Sequence, residues 1–234
     1  MLVLALDTAT DVVTVAIGRR DEALGAVQLA SGRMHAERLV PAIRDLAAAT
    51  GVRLDRLAAV AVGIGPGRFT GLRVGVTTAK TMAHALRIPV VGVGTLDLVA
   101  FPLRHTRREV VAIVDARRRE VFWARYRTVP GGLERVRDQA VDSPDDVAAE
   151  LEAAGADALL AGDGAHRYQE VFATLDHCEL AGPEFAAPSA LSLLELAHAR
   201  IEREEFVSPS ELMPVYLRES DAAINWERAR LGAL

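Results

Sequence analysis

The sequence predicts an α/β protein composed of two subdomains, residues 1–104 and 105–234, that share a cleft. Three observations support this fold class. Each half begins with short, β-branched apolar segments that are typical of strands. Apolar residues at helical spacing then alternate with further short apolar runs. Finally, 234 residues, of which 50% are hydrophobic and 25% charged, are enough to build two small cores in a globular protein.

The first half opens with three strands joined by tight turns. Leu2–Asp7 is an apolar run that ends in an acid, Val12–Ile17 alternates β-branched with small residues, and Ala23–Leu29 is a candidate third strand. The polar segment DTATD, residues 7–11, separates the first two strands as a turn. Consecutive strands with tight turns predict an antiparallel meander.

Helices and buried strands alternate through the rest of the first half. The predicted elements are a helix over His35–Ala49, a strand over Leu57–Ile64, a helix over Gly71–Leu86, a strand over Pro89–Val93 and a short helix through Ala100. The order βββαβαβα is similar to the ribonuclease-H-like unit of the actin, sugar-kinase and Hsp70 superfamily. We therefore expect a mixed five-stranded sheet flanked by helices, a likeness that constrains function only loosely.

The second half restarts with strands after the basic stretch 102–108. The predicted elements are strands at Val110–Val114, Val121–Tyr126 and Ala158–Ala161, and helices at Asp145–Ala154, from Tyr168 onward and at Ser189–Glu205. The segment PVYLRES, residues 214–220, is predicted to be extended, and the tail after Ala223 carries weak signals.

Composition excludes several classes of function. A net charge of -5 and a pI near 5.7 do not favour tight nucleic-acid binding by this chain alone. A single cysteine, Cys178, excludes an internal disulfide and a Cys-based zinc site. Met1 leads directly into an apolar strand without the basic region of a signal peptide, and no run of apolar residues is long enough to span a bilayer. We therefore expect a cytoplasmic protein with no contact to a membrane.

The segment GIGPGRFTGLRVGVTTAK, residues 63–80, is the most distinctive motif. It is not a Walker A loop, because no glycine is followed five residues later by Gly-Lys, and it lacks the third glycine of a Rossmann fingerprint. What remains is a strand, a Gly-Pro-Gly turn and a helix N-terminus. Its backbone N–H groups at Gly65, Gly67 and Arg68 can hold an anion, or the glycines can serve only a tight turn. The motif alone does not separate these two interpretations.

Asp7 and Thr8 are the second candidate for a phosphate contact. Asp7 ends the first strand, where sugar kinases and actins place an aspartate that binds metal and phosphate, and Thr8 adds a hydroxyl. The alternative is an aspartate that only forms the turn. We interpret the position as an ancestral nucleotide site without retained activity.

Motifs for other hydrolytic chemistry are absent from the sequence. There is no HExxH helix and no G-x-S-x-G elbow. The six histidines are scattered, without metal-ligand spacing on one helix. We therefore expect no catalytic residue and no bound metal, which disfavours a metalloprotease.

Three stretches stand out together: LALDTAT at residues 4–10, MHAERLVP at 34–41 and GPGRFTGLRVG at 65–75. They resemble the TsaB (YeaZ) family, which serves the synthesis of threonylcarbamoyladenosine in tRNA, beside the anticodon. The strong match covers about the first hundred residues, and IPVVGVGTLD (88–97) and PVYLR (214–218) also fit. Arg68 departs from the family, in which a serine is expected, and a cation there could add a phosphate contact.

The resemblance implies a scaffold role without catalysis. Family members are similar to TsaD, the catalytic subunit, which binds a metal through an H-x-x-x-H motif. Thr95 and Val99 stand at the corresponding positions here, and neither side chain replaces an imidazole.

The resemblance also implies partners. We expect a heterodimer with TsaD, recruitment of TsaE, and tRNA bound only within the complex. The family likeness also allows a homodimer of the isolated chain, and ATP or ADP at the complex interface. The contacts with TsaD are expected on the helices at 35–49 and 71–86, and the candidate partner-binding residues are His35, Leu39, Arg73, Val76, Lys80 and Ala83. A stand-alone kinase or ATPase of the same superfamily is the alternative function.

Three local features each have two possible interpretations. His35 could contact the partner or be a structural histidine. The segment GDGAH, residues 162–166, could bind adenosine or be a plain turn. The run Arg117–Arg119 could help to hold tRNA in the complex or form a solvated hairpin, and abundant arginine in this sequence weakens such clusters as signals of function.

Overall fold

A computed structural model describes residues 1–20 and 22–218 of the chain. Within them, ten strands form two five-stranded sheets with helices on both sides. None of the helices in this part of the chain combines the length and hydropathy that crossing a bilayer requires.

The first sheet has the strand order β3-β2-β1-β4-β5. Its strands are β1 (Val3–Asp7), β2 (Val12–Arg19), β3 (Glu22–Ala30), β4 (Ala59–Gly63) and β5 (Val90–Val93). The three N-terminal strands are antiparallel, and β4 and β5 extend the sheet in parallel from β1. Because β1 is central, all five of its residues are buried, and the four before Asp7 are apolar on both faces. The predicted mixed sheet is confirmed.

The second sheet repeats this topology, with the order β10-β9-β6-β7-β8. Its strands are β6 (Glu109–Arg117), β7 (Glu120–Val129), β8 (Gly132–Asp142), β9 (Ala158–Ala161) and β10 (Cys178–Leu180). Strand β6 pairs antiparallel with β7 and parallel with β9, as β1 does with β2 and β4. Sequence reasoning missed β8, because this edge strand is charged and only partly buried, and β10, because three residues carry no periodicity.

Seven α-helices connect the strands in the described residues. They are α1 (His35–Ala49), α2 (Phe69–Leu86), α3 (Thr95–Ala100), α4 (Pro144–Ala154), α5 (Asp163–Arg167), α6 (Gln169–Phe172) and α7 (Ala190–Glu202). Helices α1 and α2 cover one face of the first sheet, where Leu39 and Ile43 meet Val76 and Ala83 in one core cluster. Helix α2 begins two residues earlier than predicted.

Each half of the chain contributes a helix to the other half's sheet. Leu193 and Ala197 of α7 pack on Val3 and Ala61 of the first sheet. In return, the short helix α3 of the first half packs against the second sheet. The division expected at residue 104 lies just after α3, where the chain crosses from one sheet to the other.

The last described segment, 203–218, returns to the first sheet. Val207 forms a bridge with Val90, and the Val215 N–H donates to the Ile64 carbonyl over 2.7 Å. The expected extended piece therefore lies beside the Gly-Pro-Gly turn as far as Arg218. The tail after Ala223 lies outside the described residues.

Candidate functional site

Two corresponding turns face each other across the gap between the sheets: the first turn, between β1 and β2, and the second turn, between β6 and β7. Asp7 ends β1, and Asp115 lies near the end of β6, the equivalent central strand. The parallel neighbour of each strand ends at or just before a glycine, Gly63 for β4 and Gly162 for β9, and a helix follows. The fold therefore brings two aspartates to matching positions, but their surroundings differ.

Asp7 is sealed inside the first subdomain. Its side chain is fully buried, and Oδ1 accepts the Ala9 N–H over 2.9 Å. Oδ2 has no hydrogen-bond partner. A Cβ built on Gly63 would lie 1.7 Å from Oδ2, so only glycine fits there. Burial without a compensating charge raises the pKa of Asp7 to about 6.

The glycines of the central motif allow α2 to approach the β1–β2 turn closely. A Cβ on Gly71 would lie 2.1 Å from the Thr8 carbonyl oxygen, and one on Gly67 would lie 2.6 Å from the Ala9 carbonyl oxygen. The Thr8 hydroxyl donates to the Gly71 carbonyl over 2.7 Å. At Gly65, φ is +103° and a Cβ would meet the Val215 carbonyl. These glycines are therefore required by contacts within the chain.

This packing changes the interpretation of the phosphate candidates. Asp7, Thr8 and Gly65 are buried against the chain's own backbone and do not line either of the two cavities described below. Gly67 and Arg68 do line the larger cavity. Of the five residues expected to contact a phosphate, the structure leaves these two accessible to a ligand.

Arg68 connects the two subdomains. Its guanidinium forms an ion pair with Asp11 of the first turn and reaches Asp115 of the second turn at 4.0 Å. Arg117 makes the reciprocal connection, with Asp11 at 3.3 Å and Asp115 at 3.6 Å. Desolvation lowers the pKa of Arg68, with Arg117 as a second cause. The serine expected from the family could not form such a connection.

Asp115 is the centre of this cluster. It is 3% exposed and lies within 4.0 Å of three guanidinium groups, those of Arg68, Arg117 and Arg167. Its own N–H donates to Oδ1 of Asp163 over 2.9 Å. Burial raises the pKa of Asp163 to about 6. GDGAH is thus not a plain turn, because a short helix, α5, begins at Asp163 and closes on the second turn.

The larger cavity has a volume of about 660 Å³ and opens beside the N-terminus of α2. Its lining comes from both subdomains and from the last described segment: Gly32, Arg33, His35, Gly67, Arg68, Phe69, Thr70, Gly71, Asp115, Ala116, Arg117, Phe122, Val215, Tyr216, Leu217 and Arg218. A second cavity of about 350 Å³ lies between Asp11, Asp163 and Arg167. The larger volume falls in the range of ligand pockets, roughly 300–1,000 Å³.

Four of the six expected partner-binding residues are taken up by the chain's own core. Leu39, Val76 and Ala83 pack beneath α1 and α2 and are at most 4% exposed. His35 is also buried, and its Nε2 lies 2.6 Å from the Thr10 carbonyl, which fixes the first turn. The structure supports the structural interpretation of His35.

The other two expected partner residues lie nearer the surface. Arg73 is exposed and stacks on the Phe69 ring at 3.9 Å. The Lys80 ammonium donates to the Ser210 and Leu212 carbonyls at 3.4 and 3.1 Å, so it holds the returning segment. The pair of helices therefore presents a surface that differs from the one expected.

The two residues that stand at the positions of the TsaD metal ligands are buried. Thr95 is fully buried and Val99 is 1% exposed. Across the described ranges, no three His, Cys, Asp or Glu side chains converge on a possible metal position.

Sequence reasoning missed Asp11, Asp115 and Arg167, which form most of the charged cluster. Asp115 could have been found, because DAR at the end of β6 stands where DTA stands at the end of β1. Arg167 could not, since it reaches the cluster only through the short helix α5.

Comparison with known proteins gives consistent results. A family model described as TsaD, tRNA N6-adenosine threonylcarbamoyltransferase, matches residues 22–226. The chain is 32% identical to the tRNA threonylcarbamoyladenosine biosynthesis protein TsaB of Haemophilus influenzae over 97% of each chain. A solved structure of YeaZ from Pseudomonas aeruginosa is 35% identical, with a TM-score of 0.80 over 92% of this chain and 99% of that one.

A more distant structure supports the fold alone. The activator of the 2-hydroxyisocaproyl-CoA dehydratase from Clostridium difficile, solved with bound ADPNP, has a TM-score of 0.52 at 13% identity, over 92% of this chain and 99% of that one. The two sheets and these neighbours confirm the predicted fold class, α/β with two ribonuclease-H-like subdomains.

Proposed function

The chain belongs to the TsaB (YeaZ) family, and on that premise we propose that it is a non-catalytic subunit of the complex that makes threonylcarbamoyladenosine in tRNA. In this role it binds TsaD, the threonylcarbamoyl-transferring subunit, and stabilises its active form. The observation that carries the proposal is the match to a TsaB protein over 97% of each chain, combined with the sealed surroundings of Asp7.

The environment of Asp7 argues against catalysis by this chain. A superfamily kinase would use this carboxylate on a metal–phosphate complex, yet its free oxygen faces the Gly63 backbone. The alternative function, a stand-alone kinase or ATPase, requires ATP turnover by the isolated chain that is lost in Asp7→Ala. We expect no such turnover.

We place the TsaD contact on the outer surface of α1 and α2. Met34, just before α1, is 45% exposed and Val40 is 57% exposed. On α2, Arg73, Thr77 and Thr81 are also exposed. Apolar side chains between small polar ones suit a helix pair that packs against another helix pair. The same surface is available for a homodimer in isolation.

The remaining parts of the proposal follow from the family. TsaE joins the TsaD-bound form, tRNA binds only to the assembled complex, and the complex works in the cytoplasm. ATP or ADP at the complex interface would meet this chain at Gly67 and Arg68, which are the phosphate candidates that line a cavity.

The test is association with the cognate TsaD, measured by analytical size exclusion and by titration, with and without ADP. We expect a co-eluting species, and we expect Val40→Glu to weaken association at least tenfold because it buries a charge at the interface. The matched control is Val136→Glu, which places the same charge on an exposed valine of β8 (41% exposed) and leaves association unchanged. A pair that fails to associate under all these conditions refutes the proposal.

A further inference from the structure

Three of the four arginines that line the larger cavity are paired within the chain. Arg68 and Arg117 are paired with the aspartates of the two turns. Arg218 is paired with Glu120 of β7. A ligand that enters the cavity therefore gains little from these three charges, so the apolar part of the lining has more influence on what the cavity holds.

Five large apolar side chains also line the cavity. They are Phe69, Phe122, Val215, Tyr216 and Leu217. Tyr216 is 42% exposed, and its ring lies 5.2 Å from the Phe69 ring, tilted by 39°. An exposed aromatic pair in a concave site is a surface that suits a further aromatic side chain.

The chain itself continues from the rim of this cavity. Residues 215–218 line the cavity, and Arg218 is held there by Glu120 and by the Ala116 carbonyl. The terminal segment that follows, residues 219–234, has the sequence ESDAAINWERARLGAL and lies outside the described residues. Its large apolar side chains are Ile224, Trp226, Leu231 and Leu234.

Trp226 is the largest side chain of the terminal segment, and tryptophan is highly buried on average in folded proteins. The chain has two tryptophans, and the other, Trp123, is 1% exposed. Trp226 follows Arg218 by eight residues, which can span at most about 29 Å, so it can reach back into the cavity. A short tether at the rim also gives the segment an effective concentration on the order of millimolar, which favours it over a second copy at micromolar concentration.

We propose that the terminal segment, residues 219–234, docks into the larger cavity of its own chain and places the Trp226 indole against Tyr216 and Phe69. The isolated protein thus fills its own cavity. Docking covers Gly67 and Arg68, so any other ligand of the cavity has to displace the segment. This inference concerns the isolated chain and does not depend on the proposed function.

The test measures acrylamide quenching of tryptophan fluorescence in the full chain, without TsaD. Subtracting the signal of Trp226→Phe isolates Trp226 and leaves the buried Trp123 in place. We expect acrylamide to quench Trp226 at least about threefold less than N-acetyltryptophanamide, because a docked indole is withdrawn from water. This protection should stay constant between about 1 and 50 µM protein, because the contact is intramolecular.

The informative variant is Tyr216→Ala, which removes the exposed ring from the cavity. We expect it to lose at least about half of the protection of Trp226, because docking loses an aromatic contact. The matched control is Phe206→Ala. Phe206 is also 42% exposed and precedes Tyr216 in the returning segment, but it does not line the cavity. The control should keep the full protection.

Each of four results would overturn the proposal. Quenching of Trp226 as strong as that of N-acetyltryptophanamide would show that the segment does not dock. Equal protection in Tyr216→Ala and Phe206→Ala would place the indole outside the cavity. Protection that rises with protein concentration would assign the indole to a second copy, and protection that requires TsaD would assign it to that partner.

Discussion

The β1–β2 turn and the β6–β7 turn occupy the same place in two similar sheets, yet they are stabilised by different forces. The first is held by backbone contacts at van der Waals distance, with Gly71 against Thr8 and Gly63 against Asp7. The second is held by ion pairs around Asp115. Burial thus raises the pKa of Asp7 without a compensating charge, whereas arginines compensate the charge of Asp115.

The difference is due to the helix that follows the parallel neighbour of each central strand, β4 beside β1 and β9 beside β6. Helix α2 has 18 residues and closes over the first turn, which leaves no space for a cation beside Asp7. Helix α5 has five residues, so side chains such as Arg167 can reach Asp115. Topology therefore fixes where the two carboxylates lie, and the length of the next helix fixes what surrounds them.

Gly71→Ala should give the largest effect, because it breaks the first turn's packing. Alanine is the better helix former, so the change would stabilise an isolated α2. In the protein its Cβ would lie 2.1 Å from a backbone oxygen that cannot move without displacing the turn. We expect the free energy of unfolding, measured by urea denaturation, to fall by about 3 kcal/mol or more.

Gly132→Ala is the matched control for that change. Gly132 begins β8, and a Cβ there would meet nothing within 4 Å. Its free energy of unfolding should change by less than about 0.5 kcal/mol. If Gly71→Ala is equally mild, the first turn does not depend on close packing and the contrast with the second turn fails.

Asp115→Asn should give the next largest effect, because it breaks the second turn's charge balance. The amide oxygen can still accept the Arg117 N–H, which donates to Oδ1 over 3.0 Å, but three guanidinium groups lose their shared carboxylate. Since Arg117 and Arg167 are about half exposed, solvent screening limits the destabilisation to about 2 kcal/mol.

Salt separates this effect from packing. The penalty of Asp115→Asn should shrink as the salt concentration rises, because screening weakens the ion pairs in the unsubstituted protein. The penalty of Gly71→Ala should not change with salt. A penalty for Asp115→Asn that stays constant in up to about 1 M salt would mean that the second turn is held by packing as well.

The sequence predicted the fold better than the site, for physical reasons that these two turns illustrate. Apolar periodicity follows from burial on a sheet or helix face, so the sequence pattern predicts the central strands and the helices α1, α2 and α7. The edge strand β8 is charged and only partly buried, so it shows no apolar period. The cluster around Asp115 depends on charges brought together from residues 11, 68, 115 and 167, which no local pattern records. The glycines of α2 were noticed, but their contact with Thr8 required the fold.

Asp7→Asn should give the smallest net effect at neutral pH, and with the opposite sign to Asp115→Asn. A pKa of about 6 in the folded protein, against an ordinary value of 3.8, means that keeping Asp7 ionised at pH 7 costs about 3 kcal/mol. Because the folded pKa is raised, the protonated Asp7 side chain contributes to stability. This contribution is fully present below about pH 4 and is lost as the pH rises through about 6. Asparagine removes the charge but leaves an amide N–H₂ against Gly63 without an acceptor, which offsets about 1–3 kcal/mol.

We therefore expect Asp7→Asn to stabilise the protein by about 1 kcal/mol at pH 7.5 and to destabilise it by about 2 kcal/mol at pH 4. The measurement is the difference in free energy of unfolding between the two proteins at several pH values. Taking the difference cancels the contribution of Asp163, whose pKa is also about 6. A difference that does not change with pH would show that Asp7 has a compensating partner after all, and the two turns would then be alike.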